Sequence, residues 1–135
     1  MVRHPFTIFR CKRSTPLLMT LWTASTALLC YLTLLPSSRL YSPIAFPNSD
    51  KVFHGLIYFF ITLIPGFSCS GSRSWVARFL GLALFLMGVL LEYAQVSVPG
   101  RAFSYGDMAS NLLGVLAGIM IAEWIALRSR SDGRV

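Results

Sequence analysis

The sequence predicts an all-α integral membrane protein, a bundle of four transmembrane helices with both termini in the cytoplasm. Hydrophobic residues make up 55% of the 135 residues and charged residues only 13%, whereas soluble domains carry roughly 25% charged residues. Four apolar runs, each close to the ~20 residues needed to cross a bilayer, are separated by short polar segments. Most Lys and Arg residues lie at the ends of these runs, which is typical of membrane-topology signals and argues against nucleic-acid binding.

The first apolar run extends from Pro16 to Leu35 and follows a basic segment at 1–14. It is long for the apolar region of a signal peptide, and no A-x-A-like cleavage site follows it. We therefore expect an uncleaved first helix. The next segment, 36–50, is rich in proline and serine, which predicts a linker that ends this helix.

Three further apolar runs predict the remaining helices. The second covers 52–67, and we expect Pro65 near its end to kink or stop the helix, because proline cannot donate the helical hydrogen bond. The third covers 75–98 and the fourth 107–127. The predicted organisation is one membrane domain at 15–127 between two basic tails, at 1–14 and 128–135.

The distribution of basic residues predicts the topology. Lys and Arg total 12, and cytoplasmic loops of membrane proteins carry an excess of them. With a cytoplasmic N-terminus, nine lie inside: Arg3, Arg10, Lys12, Arg13, Arg73, Arg78, Arg128, Arg130 and Arg134. Three lie outside: Arg39, Lys51 and Arg101. We therefore expect a multi-pass protein of the bacterial inner membrane, with both tails in the cytoplasm.

This topology places eight polar groups at the outer end of the bundle. They are Asp50, Lys51, His54, Glu92, Gln95, Arg101, Asp107 and Asn111. Ionisable groups in a membrane span are costly and usually face the bundle interior or a water-filled cavity. The sequence therefore predicts an outward-facing polar pocket.

Helical spacing places these polar groups above small residues. One face of the third helix carries Gly81, Phe85, Gly88, Glu92 and Gln95, and one face of the fourth carries Asp107, Asn111, Gly114 and Gly118. On the second helix, His54 and Tyr58 are one turn apart. Small residues allow helices to approach closely, so we expect tight packing below the pocket, with Gly114 and Gly118 joining helices of one chain.

Each polar residue also has a structural interpretation. Asp50 and Asp107 each stand where a helix is predicted to begin, and Asp is a favoured N-cap. Lys51 could extend to the lipid interface, and Arg101 could be a loop charge. Glu92 is harder to explain in this way, because it lies in an apolar stretch and needs a partner. Three side chains could supply that partner: Arg101, His54 and Asp107.

The combined motif resembles a known family. It reads Asp50-Lys51-x-x-His54, then Glu92-x-x-Gln95, then Pro99-Gly100-Arg101-x-x-Ser104-x-x-Asp107-x-x-x-Asn111-x-x-Gly114. In order, spacing and helix placement it is similar to the VanZ-like family of bacterial membrane proteins, over about residues 45–120. The resemblance implies a small multi-helix membrane protein associated with teicoplanin (glycopeptide) resistance, and it implies no particular reaction.

The polar groups favour a protein that acts on or binds a cell-envelope lipid or precursor. The candidate acid–base residues are Glu92, Asp107 and His54. The candidate substrate-binding residues are Asp50, Lys51, Tyr58, Gln95, Arg101, Ser104 and Asn111. Lys and Arg suit a phosphate or carboxylate. We expect the lipid bilayer as partner, with a homo-oligomer left open, and no nucleic acid, cofactor or metal. Asp50, His54, Glu92 and Asp107 are of types that could bind a divalent cation, but their spacing gives no support for it.

Two other classes of function remain open. The polar cluster could be a network that fixes helix register in a non-catalytic scaffold or accessory protein of an envelope enzyme. The chain could also form a small oligomeric transporter, although Glu123 is the only acidic residue in the inner half of the predicted helices. The three cysteines, Cys11, Cys30 and Cys69, have no metal-binding spacing, and we interpret them as small apolar side chains.

Overall fold

The computed structural model describes residues 15–36, 48–68 and 74–131, and this part of the chain is a bundle of four α-helices. They are α1 (Thr15–Thr33), α2 (Ser49–Ser68), α3 (Ser74–Gln95) and α4 (Tyr105–Ser131). All four are long and apolar enough to cross a membrane. The predicted all-α fold with four transmembrane helices is confirmed, and the chain is a multi-pass membrane protein. The predicted tail at 1–14, Cys11 and Cys69 lie outside the described residues.

Helix bounds differ from the prediction in all four helices. α1 ends at Thr33, two residues early, and α4 continues to Ser131, four residues into the predicted tail at 128–135, whose last four residues lie outside the described chain. α2 begins at Ser49 and continues through Pro65 to Ser68, so proline stands in its last turn, where the helix is about to end. α3 ends at Gln95, and the segment to Val98 forms turns. α4 begins at Tyr105, two residues before the predicted start, because a cap described below lies upstream.

α2 and α4 run parallel and form the closest helix pair. Gly114 faces the backbone of Gly55 and Phe59, and Gly118 faces the Phe59 carbonyl and the Thr62 side chain. A Cβ atom at Gly114 would collide with the Gly55 carbonyl, so only glycine fits there. The Gly114–Gly118 pair thus joins two helices of one chain, and both helices begin at the same end of the bundle.

An apolar core lies in the middle of the bundle, next to the end where α2 and α4 begin. Its buried members are Tyr58, Ile61, Leu84 and Val115. The predicted polar and glycine face of α3 is turned inward, since Gly81, Gly88, Glu92 and Gln95 are all buried. Cys30 contributes to the packing of α1, with its Sγ atom 3.3 Å from the Met87 Sδ atom.

Exposed tyrosine and tryptophan side chains mark two levels along the helices. Tyr93 and Tyr105 lie near one end, and Trp75 and Trp124 lie near the other. At ~1.5 Å rise per residue, Tyr93 and Trp75 are about 27 Å apart along α3, close to the ~30 Å hydrocarbon thickness. Tyr and Trp are enriched at both membrane interfaces, so these levels fit the two edges of a bilayer.

Candidate functional site: a polar cluster where α2 and α4 begin

The predicted polar residues converge at one end of the bundle, where α2 and α4 begin and α3 ends. Three of them, Glu92, Gln95 and Asn111, are only 2% exposed, and Asp107 is 9% exposed. Buried polar groups are costly unless they are hydrogen-bonded. The hydrogen-bond partners of each group therefore show which residues stabilise the fold and which keep donors or acceptors that the fold does not use.

The first turn of α4 depends on Ser104 and Glu92. The backbone N–H of Asp107 donates to the Ser104 hydroxyl at 3.2 Å, so Ser104 is the N-cap and Asp107 is the third residue of the helix. The backbone N–H of Ser104 donates to Glu92 Oε1 at 2.7 Å. In a capping box the acidic residue three positions after the cap would accept that bond. Here Glu92 of α3 accepts it, and the Asp107 carboxylate is left for another partner.

That other partner is Lys51 of α2. Its Nζ atom lies 3.0 Å from Asp107 Oδ1 and 3.1 Å from Asp50 Oδ2, with a longer contact of 3.5 Å to the Ser104 hydroxyl. The Asp107 side chain is 13% exposed, whereas the Lys51 and Asp50 side chains are 33% and 60% exposed. Lys51 therefore joins the first turns of α2 and α4, and one side of the group faces outward.

Gln95 and Arg101 hold the end of α1. Gln95 Nε2 donates to the Thr33 carbonyl oxygen at 3.1 Å, and Arg101 Nε donates to the Leu35 carbonyl oxygen at 3.5 Å. The last carbonyl groups of a helix have no partner within it. These two side chains supply partners at that end, which is a structural role that the sequence analysis did not assign.

Glu92 has a different partner from the three expected. Its described hydrogen bond comes from a backbone N–H, and it interacts only through space with Arg101, His54 and Asp107. The described hydrogen-bond partner of Glu92 is thus a backbone N–H and not one of the three candidate side chains. All three nevertheless interact electrostatically with its carboxyl group.

Two polar atoms in the cluster have no partner in the described part of the chain. They are Nδ1 of His54 and Oδ1 of Asn111, and both are buried. His54 lies one turn below Lys51, and Asn111 lies one turn below Asp107. Since each unpaired buried polar atom is unfavourable, these atoms identify the residues of the cluster whose hydrogen-bonding capacity the fold itself does not use.

Two predicted residues lie apart from this cluster. Tyr58 belongs to the apolar core, and its hydroxyl end packs against Gly88. Glu123 lies at the opposite end of the bundle and pairs with Arg78, whose Nε atom is 2.7 Å from Glu123 Oε1. Arg128 stacks over the Trp124 ring at 4.0 Å, as expected for a residue that anchors a helix at an interface.

The chemistry of the cluster suits hydrogen bonding and charge recognition. Among residues 15–36, 48–68 and 74–131, no three His, Cys, Asp or Glu side chains are arranged to hold a metal ion. Asp50 and Lys51 present opposite charges at the outer edge, and His54 and Asn111 carry unpaired atoms below them. This arrangement can hold a polar group that enters from the membrane surface.

A scan against protein-family models finds no matching family, and searches of curated proteins and of solved structures find no significant match.

Proposed function

We propose that this membrane protein binds the polar group of a cell-envelope lipid or lipid-linked precursor at the end of the bundle where α2 and α4 begin. By the excess of basic residues in the other segments, this end faces the outside of a bacterial inner membrane. The motif described above, and its resemblance to the VanZ-like family, support a role in the cell envelope. Altered glycopeptide sensitivity is the phenotype to examine first.

One observation carries the proposal: the unpaired atoms of His54 and Asn111 lie directly below the exposed Lys51–Asp50 pair. Three other buried atoms without a partner in the described chain, on Trp22, Thr26 and Thr62, lie deeper in the bundle. Glu92, Gln95, Arg101 and Ser104 each have a partner that stabilises a helix end, so stability alone explains their presence. Stability does not explain His54 Nδ1 and Asn111 Oδ1, because an apolar side chain would avoid the cost of burying them unpaired. Polar groups of this kind are expected where a ligand supplies the missing partner.

In this proposal the residues divide into two groups. His54 and Asn111 contact the ligand, with Lys51 and Asp50 at the outer edge providing charge. Glu92 and Asp107 position the start of α4, and Gln95 and Arg101 position the end of α1. Catalysis by His54 with a carboxylate of the cluster remains a hypothesis within this function.

A second candidate function is a non-catalytic scaffold or accessory protein of an envelope enzyme. The observation in its favour is that most of the cluster serves helix ends: Ser104 and Glu92 for α4, and Gln95 and Arg101 for α1. A network with only this role would leave His54 and Asn111 dispensable. The two candidates therefore make opposite predictions for these two residues.

The test is substitution of Asn111→Leu and His54→Phe in the native gene. Asn111→Leu keeps the branching of the side chain and His54→Phe keeps a planar ring, and both remove the unpaired atom, so we expect near-normal thermal stability and normal membrane abundance. If the proposal holds, both variants behave like a deletion in sensitivity to envelope-directed drugs. Thr62→Val is the matched control, because Thr62 also buries an unpaired hydroxyl, two turns deeper in the bundle than His54.

Wild-type drug sensitivity in the Asn111→Leu and His54→Phe variants, at normal abundance, would contradict the proposal and favour the scaffold. Loss of abundance in both would show that the two side chains hold the bundle together. Loss of function in the Thr62→Val control as well would show that the phenotype follows from disturbed packing in general and not from the outer end.

A further inference from the structure

A groove lies between α2 and α4 on the outside of the bundle. Its volume is about 440 Å³, within the ~300–1,000 Å³ range of ligand pockets, but it is shallow and open along one side. Its apolar lining consists of Val52, Leu56, Phe59, Leu113 and Ala117, with Gly55 and Gly114 at the floor. The glycine contact between the two helices creates it, because side chains are missing where the backbones meet.

The groove opens toward the bilayer. Val52, Leu56 and Leu113 are 49%, 46% and 67% exposed, although they are apolar and lie within membrane-spanning helices. From Lys51 to Phe59 the groove follows α2 for about 12 Å at ~1.5 Å per residue. An open, apolar groove of this length, parallel to the helices, can hold the part of a lipid acyl chain that is nearest the headgroup.

The end of the groove nearest the start of α2 is polar and coincides with the candidate site. Lys51 and Asn48 line the groove, and the Lys51 ammonium also contacts Asp107 and Ser104 of the cluster. Lys51 is thus shared by the apolar groove and the polar cluster. A lipid whose chain lies in the groove would have its phosphate next to Lys51, and the rest of its headgroup next to the cluster.

The charges of the cluster select among phospholipids. At the end of the groove, two carboxylates, Asp50 and Asp107, contact one cation, Lys51, which leaves an excess of negative charge there. Two helices begin at this end and two finish there, so their dipoles nearly cancel. A lipid whose headgroup adds only a negative charge would increase this excess of negative charge. A zwitterionic headgroup can place its phosphate on Lys51 and its ammonium on Asp50, whose side chain is more exposed than that of Lys51.

We infer that the α2–α4 groove binds one acyl chain of a zwitterionic phospholipid of the phosphoethanolamine class, with its phosphate on Lys51 and its ammonium on Asp50. This inference goes beyond the proposed function: it concerns the groove and the charges of Lys51 and Asp50, whereas His54 and Asn111 stay available for the ligand of the proposed function. It requires no change in the cluster beyond exchange of the long Lys51–Ser104 contact for a phosphate oxygen.

The test uses the full-length chain purified in detergent and incubated with equal amounts of phosphatidylethanolamine and phosphatidylglycerol of the same acyl composition. Native mass spectrometry then counts the lipids retained per chain. We expect one retained phosphatidylethanolamine, in excess over phosphatidylglycerol by about tenfold, which corresponds to about 1.4 kcal/mol. Asp50→Asn should remove this preference, because it removes the carboxylate that binds the ammonium.

A second variant tests the groove without touching the polar cluster. Ala117→Phe fills the lower part of the groove, and we expect it to reduce retained lipid by about tenfold, again about 1.4 kcal/mol. Ala24→Phe is the matched control, since Ala24 is an exposed alanine of α1 outside the groove. This control should retain lipid like the wild type.

Equal retention by Ala117→Phe and Ala24→Phe would overturn the groove as the lipid site. Equal or greater retention of phosphatidylglycerol by the wild type would overturn the assignment of the headgroup. Retention of neither lipid would overturn the inference as a whole. None of these results decides the proposed function, which stands or falls with the drug sensitivity of Asn111→Leu and His54→Phe cells.

Discussion

The bond from the Ser104 N–H to Glu92 makes a pair of substitutions at position 92 informative. Glu92 is 2% exposed, and its Oε1 atom accepts this bond at 2.7 Å. Glu92→Gln keeps an oxygen that can accept the bond and loses the possibility of charge. A hydrogen bond to a charged group contributes about 1.5–3 kcal/mol and a neutral one about 0.5–1.5 kcal/mol, so we expect a cost of about 1 kcal/mol.

Glu92→Ala removes the acceptor altogether. The Ser104 N–H at the start of α4 then loses its partner, at about 1–3 kcal/mol, and a buried side chain is replaced by a cavity, which adds to this cost. We therefore expect the alanine variant to be less stable than the glutamine variant by at least about 2 kcal/mol. The assay is the thermal midpoint in detergent, followed by tryptophan fluorescence, with membrane abundance measured in parallel.

The control is Leu90→Ala, which truncates an exposed side chain on the same helix and should leave the midpoint nearly unchanged. Equal midpoints for Glu92→Gln and Glu92→Ala would refute the assignment of Glu92 as the acceptor that holds the start of α4. If Glu92→Gln has a near-normal midpoint and abundance but loses activity in cells, the carboxyl group also acts on the ligand. A retained activity would limit Glu92 to its structural role.

Three further predictions concern packing and helix ends. Gly114→Ala should destabilise the bundle by about 1–3 kcal/mol, because the added Cβ meets the backbone of α2, and a thermal midpoint equal to that of the wild type would contradict this. Gln95→Ala should cost about 1 kcal/mol and increase hydrogen exchange at the end of α1, since the Thr33 carbonyl loses its donor; unchanged exchange there would argue against the contact. Glu123→Gln should leave the midpoint nearly unchanged, because the Arg78 pair is exposed and such pairs contribute little; a large shift would show that the pair is buried in the membrane.

The fold could be predicted from the sequence because its determinants are local. Apolar runs of bilayer length specify the four helices, and the spacing of Gly81, Gly88, Glu92 and Gln95 places them on one face of α3, where the structure finds them buried. The ends of the helices follow less accurately from the sequence. The sequence predicts that α4 starts at Asp107, because Asp is a favoured cap, but Ser104 is the cap and Asp107 follows it by three residues.

The partners within the site could not be predicted in the same way. The Ser104-x-x-Asp107 spacing is that of a capping box and would have identified the true start of α4. No sequence pattern shows, however, that Glu92 of a different helix replaces Asp107 as the acceptor of the Ser104 N–H. The same holds for Gln95, whose partner is a carbonyl group of α1, because backbone acceptors carry no sequence signature.

The close contact between α2 and α4 also separates the candidate functions. A transporter needs a polar route through the bundle, but Gly114 and Gly118 bring the two helices into backbone contact directly below the cluster. Among the described residues, the next level down is the mainly apolar core around Ile61 and Leu84, with the Thr62 hydroxyl beside it, and the next ion pair is Arg78–Glu123 at the far end. Within a single chain, the glycine contacts close the route between α2 and α4 below His54 and Asn111, so a transporter would need a pore between copies. The geometry favours a site that holds the headgroup of a membrane lipid over one that passes a solute across the bilayer.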